Sequence, residues 1–366
     1  MNINELSSEL KIYDEGPLAG IYLNRPDRLN ALSMEMVRMI RAFLAKWLED
    51  EKIRAVFISG MTENVFCAGG DIKAVYSSGM AFRMEQARER VASVFFGEEY
   101  ALNRFIYDYA KPVITFMNGI SMGGAYGIAG PSDFCVVSEN TLFSMPESAI
   151  GFFPDVGSSY YLNRTNHNIG TYLALSGARI NAADLIYTGL ATHYIPLRHR
   201  DELFDLIVAE LNNSGPDSDD HKIVAEVIDK LSGMPENDGY IKSRCKGIEK
   251  CFSPDSIEEI ILRLRDVSWG NEEMVKLLSR SPTSLKVTIR HLRETVDMTY
   301  AEVLERDFVL SQNFMRGHDF YEGVRAVLID KDNAPMWIPG TLDDVTPEIV
   351  ESHFCDTGLS LSDLTE

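Results

Sequence analysis

Paired cysteines are missing from this chain. Its five cysteines, Cys67, Cys135, Cys245, Cys251 and Cys355, are odd in number and widely spaced, with no CxxC or CxxxC pair. A disulfide framework and a cysteine zinc site are thereby excluded, and a reducing compartment is the natural reading. The seven histidines, His167, His193, His199, His221, His291, His318 and His353, show neither HxxxH nor HExxH spacing, so no metal site is expected. No apolar run approaches the ~20 residues that span a bilayer. Positive charge is scarce: 35 Lys and Arg stand against 55 Asp and Glu, a net charge of −20. Such a field repels nucleic-acid backbones and anionic lipid, which excludes both as partners. A Walker loop and a GxGxxG after the first strand are also absent. The opening stretch, MNINELSSELKIYDEG, carries neither a basic and apolar leader nor an Arg-rich amphipathic one, so the expected location is the cytoplasm.

What remains is an ordinary globular composition, 45% hydrophobic and 25% charged over 366 residues. The front half alternates strand and helix signals. Apolar runs rich in β-branched residues occur at 10–13, 19–23, 55–59, 112–117 and 134–137. Between them, 33–49 sets Met36, Met39, Ile40, Phe43, Leu44 and Trp47 on one helical stripe, with Ser33 placed to cap it. This alternation predicts an α/β architecture without a sequence repeat. After about residue 200 the strand signal fades. Asn212–Asp220 reads as a linker or loop, followed by helices near 221–232, 255–267, 271–279, 282–294 and 300–315, with Pro282 in a first turn. The expected division is a core over 1–200, a mainly helical region over 201–355 and a frayed polar tail over 356–366.

Two glycine-rich loops could carry chemistry. Cys67-Ala68-Gly69-Gly70-Asp71-Ile72 and Gly119-Ile120-Ser121-Met122-Gly123-Gly124 each follow a strand and run into a helix. Amides at such junctions lack helical partners, and two loops side by side could aim two N–H groups at one developing oxyanion. The plainer reading is that these glycines only permit tight turns. Glu147 and Asp155 each follow a proline in an otherwise apolar stretch, which raises a carboxyl pKa toward acid–base use. Helix capping competes with that role for Glu147 and is the favoured reading of Asp155. Gly119–Gly123 also spells G-x-S-x-G, so a Ser121, Asp155, His193 triad can be written down, but no upstream oxyanion segment accompanies it.

Leu23–Leu32 (LNRPDRLNAL), Phe66–Lys73 (FCAGGDIK) and Asn118–Gly124 (NGISMGG) together resemble the crotonase (enoyl-CoA hydratase/isomerase) superfamily in order and spacing. Hydratases of that family carry a glutamate where this chain has Gly127, and a glycine where it has Asp155. Met145-Pro146-Glu147, Phe153–Gly157 (FPDVG) and Met315–Asp332 (MRGHDFYEGVRAVLIDKD) are similar instead to the branch that hydrolyses short, branched β-hydroxyacyl-CoA thioesters such as 3-hydroxyisobutyryl-CoA in valine breakdown. The resemblance implies a crotonase-like spiral of ββα turns with a helical carboxy-terminal region that completes the acyl-CoA site and mediates contacts between copies of the chain. It further implies an oxyanion hole from the Gly70 and Gly124 amides, with Glu147 and Asp155 as catalytic carboxylates. No cofactor is implied beyond the coenzyme A of the substrate. Arg28, Lys73 and Lys331 are the candidates for its phosphates. Ala125 and Ser158–Ser159 stand where relatives often have glycine, which bears on the size of the acyl pocket. The alternatives are an enoyl-CoA hydratase or isomerase and a non-catalytic acyl-CoA-binding protein.

Overall fold

The computed structural model describes residues 8–84 and 91–361. Ten strands lie among them: β1 (Leu10–Tyr13), β2 (Leu18–Leu23), β3 (Ala55–Gly60), β4 (Val65–Cys67), β5 (Val113–Met117), β6 (Ile120–Met122), β7 (Phe134–Val137), β8 (Leu142–Ser144), β9 (Ile180–Asn181) and β10 (His193–Tyr194). One sheet has the order β1-β2-β3-β5-β7-β10 and the other β4-β6-β8-β9. In the larger sheet β1 and β2 are antiparallel, and the pairs from β2 onward are parallel, with Ile21 opposite Ile58 and Ile58 opposite Thr115. Every residue of β3 and β5 is buried. That is why these strands read as unbroken apolar runs rather than as alternation.

Consecutive strands change sheet. β3 and β4 lead to the helix Ile72–Arg83, β5 and β6 to the helix Ala125–Ala129, and β7 and β8 to the 3-10 turn Glu147–Ile150. This is the expected ββα spiral, repeated in backbone and not in sequence. The five longer strands coincide with the five apolar runs. The two- and three-residue strands were not foreseen, because so few residues carry no readable period. One consequence is that the segment 119–124 is not a single loop: it is strand β6 flanked by glycine turns.

The chain divides into two compact units. The first comprises the described residues through Gly70, with Leu102–Phe143 and Ile180–Tyr240. Its core sets Phe57, Ile114, Phe116 and Val136 of the large sheet against Leu203, Ile207 and Leu211 of the helix Arg200–Asn213 and Val224 and Ile228 of the helix Asp220–Leu231. Asn212–Asp220 is therefore the loop of a helical hairpin. It is closed by Arg54, whose Nε donates to Asp220 (3.0 Å) and whose Nη2 donates to Ser218 (2.7 Å). In the same unit the helix Met34–Glu49 starts as expected, with Ser33 accepting from the Met36 amide. Its buried stripe includes Val37, while Met39 lies half-buried at the edge.

The second unit comprises the described part of Asp71–Ala101, Ser144–Arg179 and the chain from Ile241 on. It is built mainly of helices, among them Pro282–Glu294, capped by Ser281, and Tyr300–Phe314, opened by a Thr299–Glu302 capping box. The helix Ile241–Phe252 was not foreseen, since only Ile241, Ile248, Cys251 and Phe252 are buried along it. The tail is not frayed through Leu361, which is buried and donates its amide to Glu305. Residues 362–366, like residues 1–7 of the opening stretch, lie outside the described residues. No helix among the described residues is long and apolar enough to cross a membrane.

Gly119 has φ +77°, and a Cβ there would lie 2.1 Å from the Asn64 carbonyl. Gly119→Ala should therefore destabilise the protein by about 2 kcal/mol or more, read as a lowered urea midpoint, because backbone strain and overlap add.

Candidate active site

Two backbone amides are presented together in the first unit. Strands β4 and β6 are parallel neighbours, with Val65 opposite Ile120 and Cys67 opposite Ser121, so the turns that follow them emerge side by side. The approach is close: a Cβ on Gly69, which has φ +97°, would lie 3.0 Å from the Met122 carbonyl oxygen and 3.2 Å from the Gly124 nitrogen. The first turn is held from several sides. Gly69 donates to Cys67 Sγ (3.3 Å), and its carbonyl accepts from the Leu32 amide (2.8 Å). The Ala68 amide donates to Leu29 (3.0 Å). With these groups engaged, the Gly70 and Gly124 amides donate to no group among the described residues. Unpaired N–H groups are costly unless a ligand or water takes them up, and two adjacent ones form an oxyanion receptor.

The same geometry explains the segment 23–32. Asn30, fully buried at φ +54°, donates to the carbonyls of Val65 (3.2 Å) and Phe66 (3.0 Å) and accepts from the Arg25 amide (2.7 Å). It ties this arc to strand β4, directly before the first glycine turn.

The carboxyls lie in the second unit. Glu147 opens the 3-10 turn that follows β8, at the first position after the N-cap Pro146. Behind that turn lies the helix Asp319–Val324 of the carboxy-terminal motif. A Cβ on Gly151 would meet the Asp319 carbonyl oxygen at 2.2 Å, and one on Gly323 would meet the Ile150 carbonyl carbon at 2.4 Å. The two glycines allow this contact, and the late motif thus supports Glu147 from behind. Asp155 does not cap the helix Ser158–Leu162, whose N-cap is Gly157. It accepts instead a 2.6 Å hydrogen bond from the Tyr100 hydroxyl. The preferred capping reading of Asp155 is therefore wrong, and the reason is burial: the Asp155 side chain is drawn to a tyrosine from another helix.

Glu99, Glu147, Asp155 and Asp307 are all buried. Around them Phe152 stacks on Phe96 (5.3 Å between ring centres), and Phe153 on Phe314 (5.4 Å). Burial in this setting pushes Glu147 well above the usual carboxylate range, and the charges of Asp155 and Glu99 push it further. Glu99 is raised in the same way by burial and by Asp155. Asp155 is raised to about 7 by burial; the Tyr100 hydrogen bond pulls it down, and the Asp307 charge pushes it up. Glu147 Oε2 and Glu99 Oε1 are buried without a hydrogen-bond partner among the described residues. Carboxyls raised above their ordinary range in this way are suited to acid–base chemistry.

Sequence reasoning named Glu147 and Asp155 and missed Glu99, Tyr100, Asp307 and His291. For Glu99 a signal existed, since it stands three and four residues after Phe96 and Phe95 on one helical stripe. The others are joined only by tertiary folding. The Ser121 triad does not form: Ser121 is buried within strand β6 with its hydroxyl 3.3 Å from Gly119 O, and His193 contacts Thr192 and Asp229. Gly127 is buried within the helix Ala125–Ala129, where its amide donates to Gly124 O (3.1 Å). Ser158 and Ser159 are buried, with hydroxyls unpartnered among the described residues. Arg28 is exposed at the end of the 3-10 turn Pro26–Arg28, Lys73 is half-buried in the first turn of its helix, and Lys331 is exposed in a left-handed turn.

The chain is similar to known proteins over most of its length. The protein-family model described as enoyl-CoA hydratase/isomerase matches residues 18–354. The chain is 39% identical over 359 residues to the mitochondrial 3-hydroxyisobutyryl-CoA hydrolase of Homo sapiens, covering 97% of this chain and 91% of that protein. It is 42% identical over 350 residues to the protein of the same name from Xenopus tropicalis, covering 94% and 87%. Among solved structures it is similar to a carnitinyl-CoA dehydratase from Mycobacterium thermoresistibile, with TM-score 0.87, 33% identity and coverage of 97% of this chain and 98% of that one. It is also similar to an enoyl-CoA hydratase from Rhodobacter sphaeroides 2.4.1, with TM-score 0.84, 30% identity and coverage of 96% and 98%. The cytoplasmic expectation is corrected by these findings, because the curated relatives are named mitochondrial. Unpaired cysteines and an acidic surface suit any reducing compartment, so composition does not separate one from another.

A carboxyl whose folded pKa is raised lends stability below its unfolded pKa and loses it as pH rises through the folded one. For Asp155 that window runs from about 4 to about 7. Asp155→Asn cannot ionise, and its amide oxygen can still accept from Tyr100. It should be more stable than the parent at pH 8 by up to about 4 kcal/mol, with the gap closing toward pH 4. Urea unfolding across that range reads the difference; a gap that does not change with pH would contradict the assignment.

Proposed function

Because the chain belongs to the enoyl-CoA hydratase/isomerase family, we propose that it hydrolyses 3-hydroxyisobutyryl-CoA to 3-hydroxyisobutyrate and free coenzyme A, a step of valine breakdown. The observation that carries this reading is the buried carboxyl pair Glu147 and Asp155, on a chain whose second glycine turn is followed by Gly127 rather than by a glutamate. Its curated relatives bear the corresponding name.

In the proposed mechanism the thioester oxygen takes hydrogen bonds from the Gly70 and Gly124 amides. Each such donor contributes about 2.7–4 kcal/mol in the transition state. Glu147, ionised, removes a proton from water as the oxygen attacks the carbonyl carbon. Its raised pKa makes it a stronger base than an exposed carboxylate. The tetrahedral intermediate then collapses, the C–S bond breaks, and the departing thiolate takes a proton from Asp155. A group titrating at about 7 holds that proton in a useful fraction of molecules at neutral pH. The charge of Glu99 opposes ionisation of Glu147 and so adds to its basicity. The reaction requires no cofactor beyond the coenzyme A of the substrate, whose phosphates are assigned to Arg28, Lys73 and Lys331.

The test is thiol release from 3-hydroxyisobutyryl-CoA, run beside hydration of crotonyl-CoA. Fast release with little hydration is expected, whereas hydration without release would make the protein a lyase. Glu147→Gln should lower kcat by roughly 10²–10⁴ while coenzyme A still binds. A kcat within tenfold of the parent would remove Glu147 from its role. Single turnover in ¹⁸O-water should label the product carboxylate and leave Glu147 unlabelled; label in Glu147 would instead mark attack by its carboxylate through an anhydride.

A further inference from the structure

Asp155 is followed by two left-handed residues, Val156 at φ +55° and Gly157 at φ +73°. The glycine is forced: a Cβ there would lie 2.2 Å from the Tyr300 ring. The valine is not. A β-branched residue in that region is an outlier, costing roughly 1–3 kcal/mol and persisting only where its surroundings hold it. Two contacts from distant sequence do so. Asp307 Oδ2 accepts the Gly157 amide at 2.7 Å, and the Tyr300 hydroxyl approaches the Val156 carbonyl at 3.4 Å. Asp307 is itself fully buried on the helix Tyr300–Phe314, with His291 Nε2 2.9 Å from its other oxygen.

We propose that Asp307 is the positioning residue of Asp155: by gripping the Gly157 amide it holds the strained turn that aims the Asp155 carboxyl. This rests on the reading of Asp155 as a catalytic group. A buried carboxylate is an expensive acceptor for one amide, since a serine or a backbone carbonyl would serve without a charge to bury. The charge has an effect, however. It raises Asp155, while Tyr100 acts on Asp155 in the opposite sense. The titratable groups facing this locus are Glu99 and Tyr100 from the helix Val91–Tyr107, Glu147 from its 3-10 turn, His291 from the helix Pro282–Glu294, and Tyr300 and Asp307 from the helix Tyr300–Phe314. Burial raises Asp307 itself, and the neighbouring His291 acts on it in the opposite sense.

Two substitutions separate grip from charge. Asp307→Asn keeps an oxygen for the Gly157 amide and removes the charge. The limb of the kcat–pH profile assigned to Asp155 should then move to lower pH by at least about half a unit, with KM within about twofold of the parent. Asp307→Ala removes both, and kcat should fall at least about tenfold below that of the Asn variant, again with little change in KM. A structural role alone would lower activity without moving the limb. A profile for Asp307→Asn that superimposes on the parent, or an Ala variant as active as the Asn variant, overturns the proposal. Stability gives a readout independent of turnover. A double-mutant cycle of Asp155→Asn and Asp307→Asn, scored by urea midpoint, should be non-additive at pH 8 and additive at pH 4, below the range in which Asp155 titrates. Were the parent to release no thiol at all, the functional reading would fail, and this cycle would still decide the role of Asp307: additivity at pH 8 defeats it.

Discussion

The energetic problem around which the second unit is arranged is the burial of four carboxyl groups. Glu99, Glu147, Asp155 and Asp307 sit among phenylalanine rings, and the charges that most affect Glu99 and Glu147 come from other carboxyls. Such groups are stable only when protonated or hydrogen-bonded. Tyr100, the Gly157 amide and His291 each answer part of that demand. An oxygen of Glu147 and one of Glu99 have no hydrogen-bond partner among the described residues, and each can accept a proton or a hydrogen bond.

The first unit meets a different constraint. Here the active groups are backbone amides, whose direction is set by chain geometry rather than by side-chain choice. The pairing of β4 with β6 brings the two glycine turns together, and the contacts of Asn30, Leu32 and Cys67 occupy the other polar groups of the first turn. Two amides are then left over. Side chains matter in this unit mainly by absorbing the competing hydrogen bonds. Gly70, Gly124 and Glu147 each come shortly after the smaller-sheet strand of successive ββα repeats.

How much of this could be read in advance depended on the range of the interaction. The longer strands, the Ser33 cap and the Pro282 helix start were legible because their causes are local: a run of buried residues, an oxygen three residues before an amide, a ring with fixed φ. The three-residue strands were not legible, and with them went the true nature of 119–124 as a strand between two turns. Ser121 illustrates the cost, since a five-residue pattern suggested a nucleophile where the fold places a buried strand residue. The cellular location was misread for another reason: an acidic, disulfide-free chain is compatible with more than one reducing compartment.

By itself the sequence determined the residue types at the site and their local settings: glycines at two turns, and two carboxyls each preceded by proline in an apolar stretch. Their order and spacing were enough to identify the family. Whether Asp155 caps a helix or titrates was decided only by tertiary structure, which brings Tyr100 from 55 residues earlier and Gly157's partner Asp307 from 150 residues later. A cap is a contact between near neighbours and can be written from spacing. A pKa is set by everything within a few ångströms, and in a folded chain those neighbours come from anywhere along it.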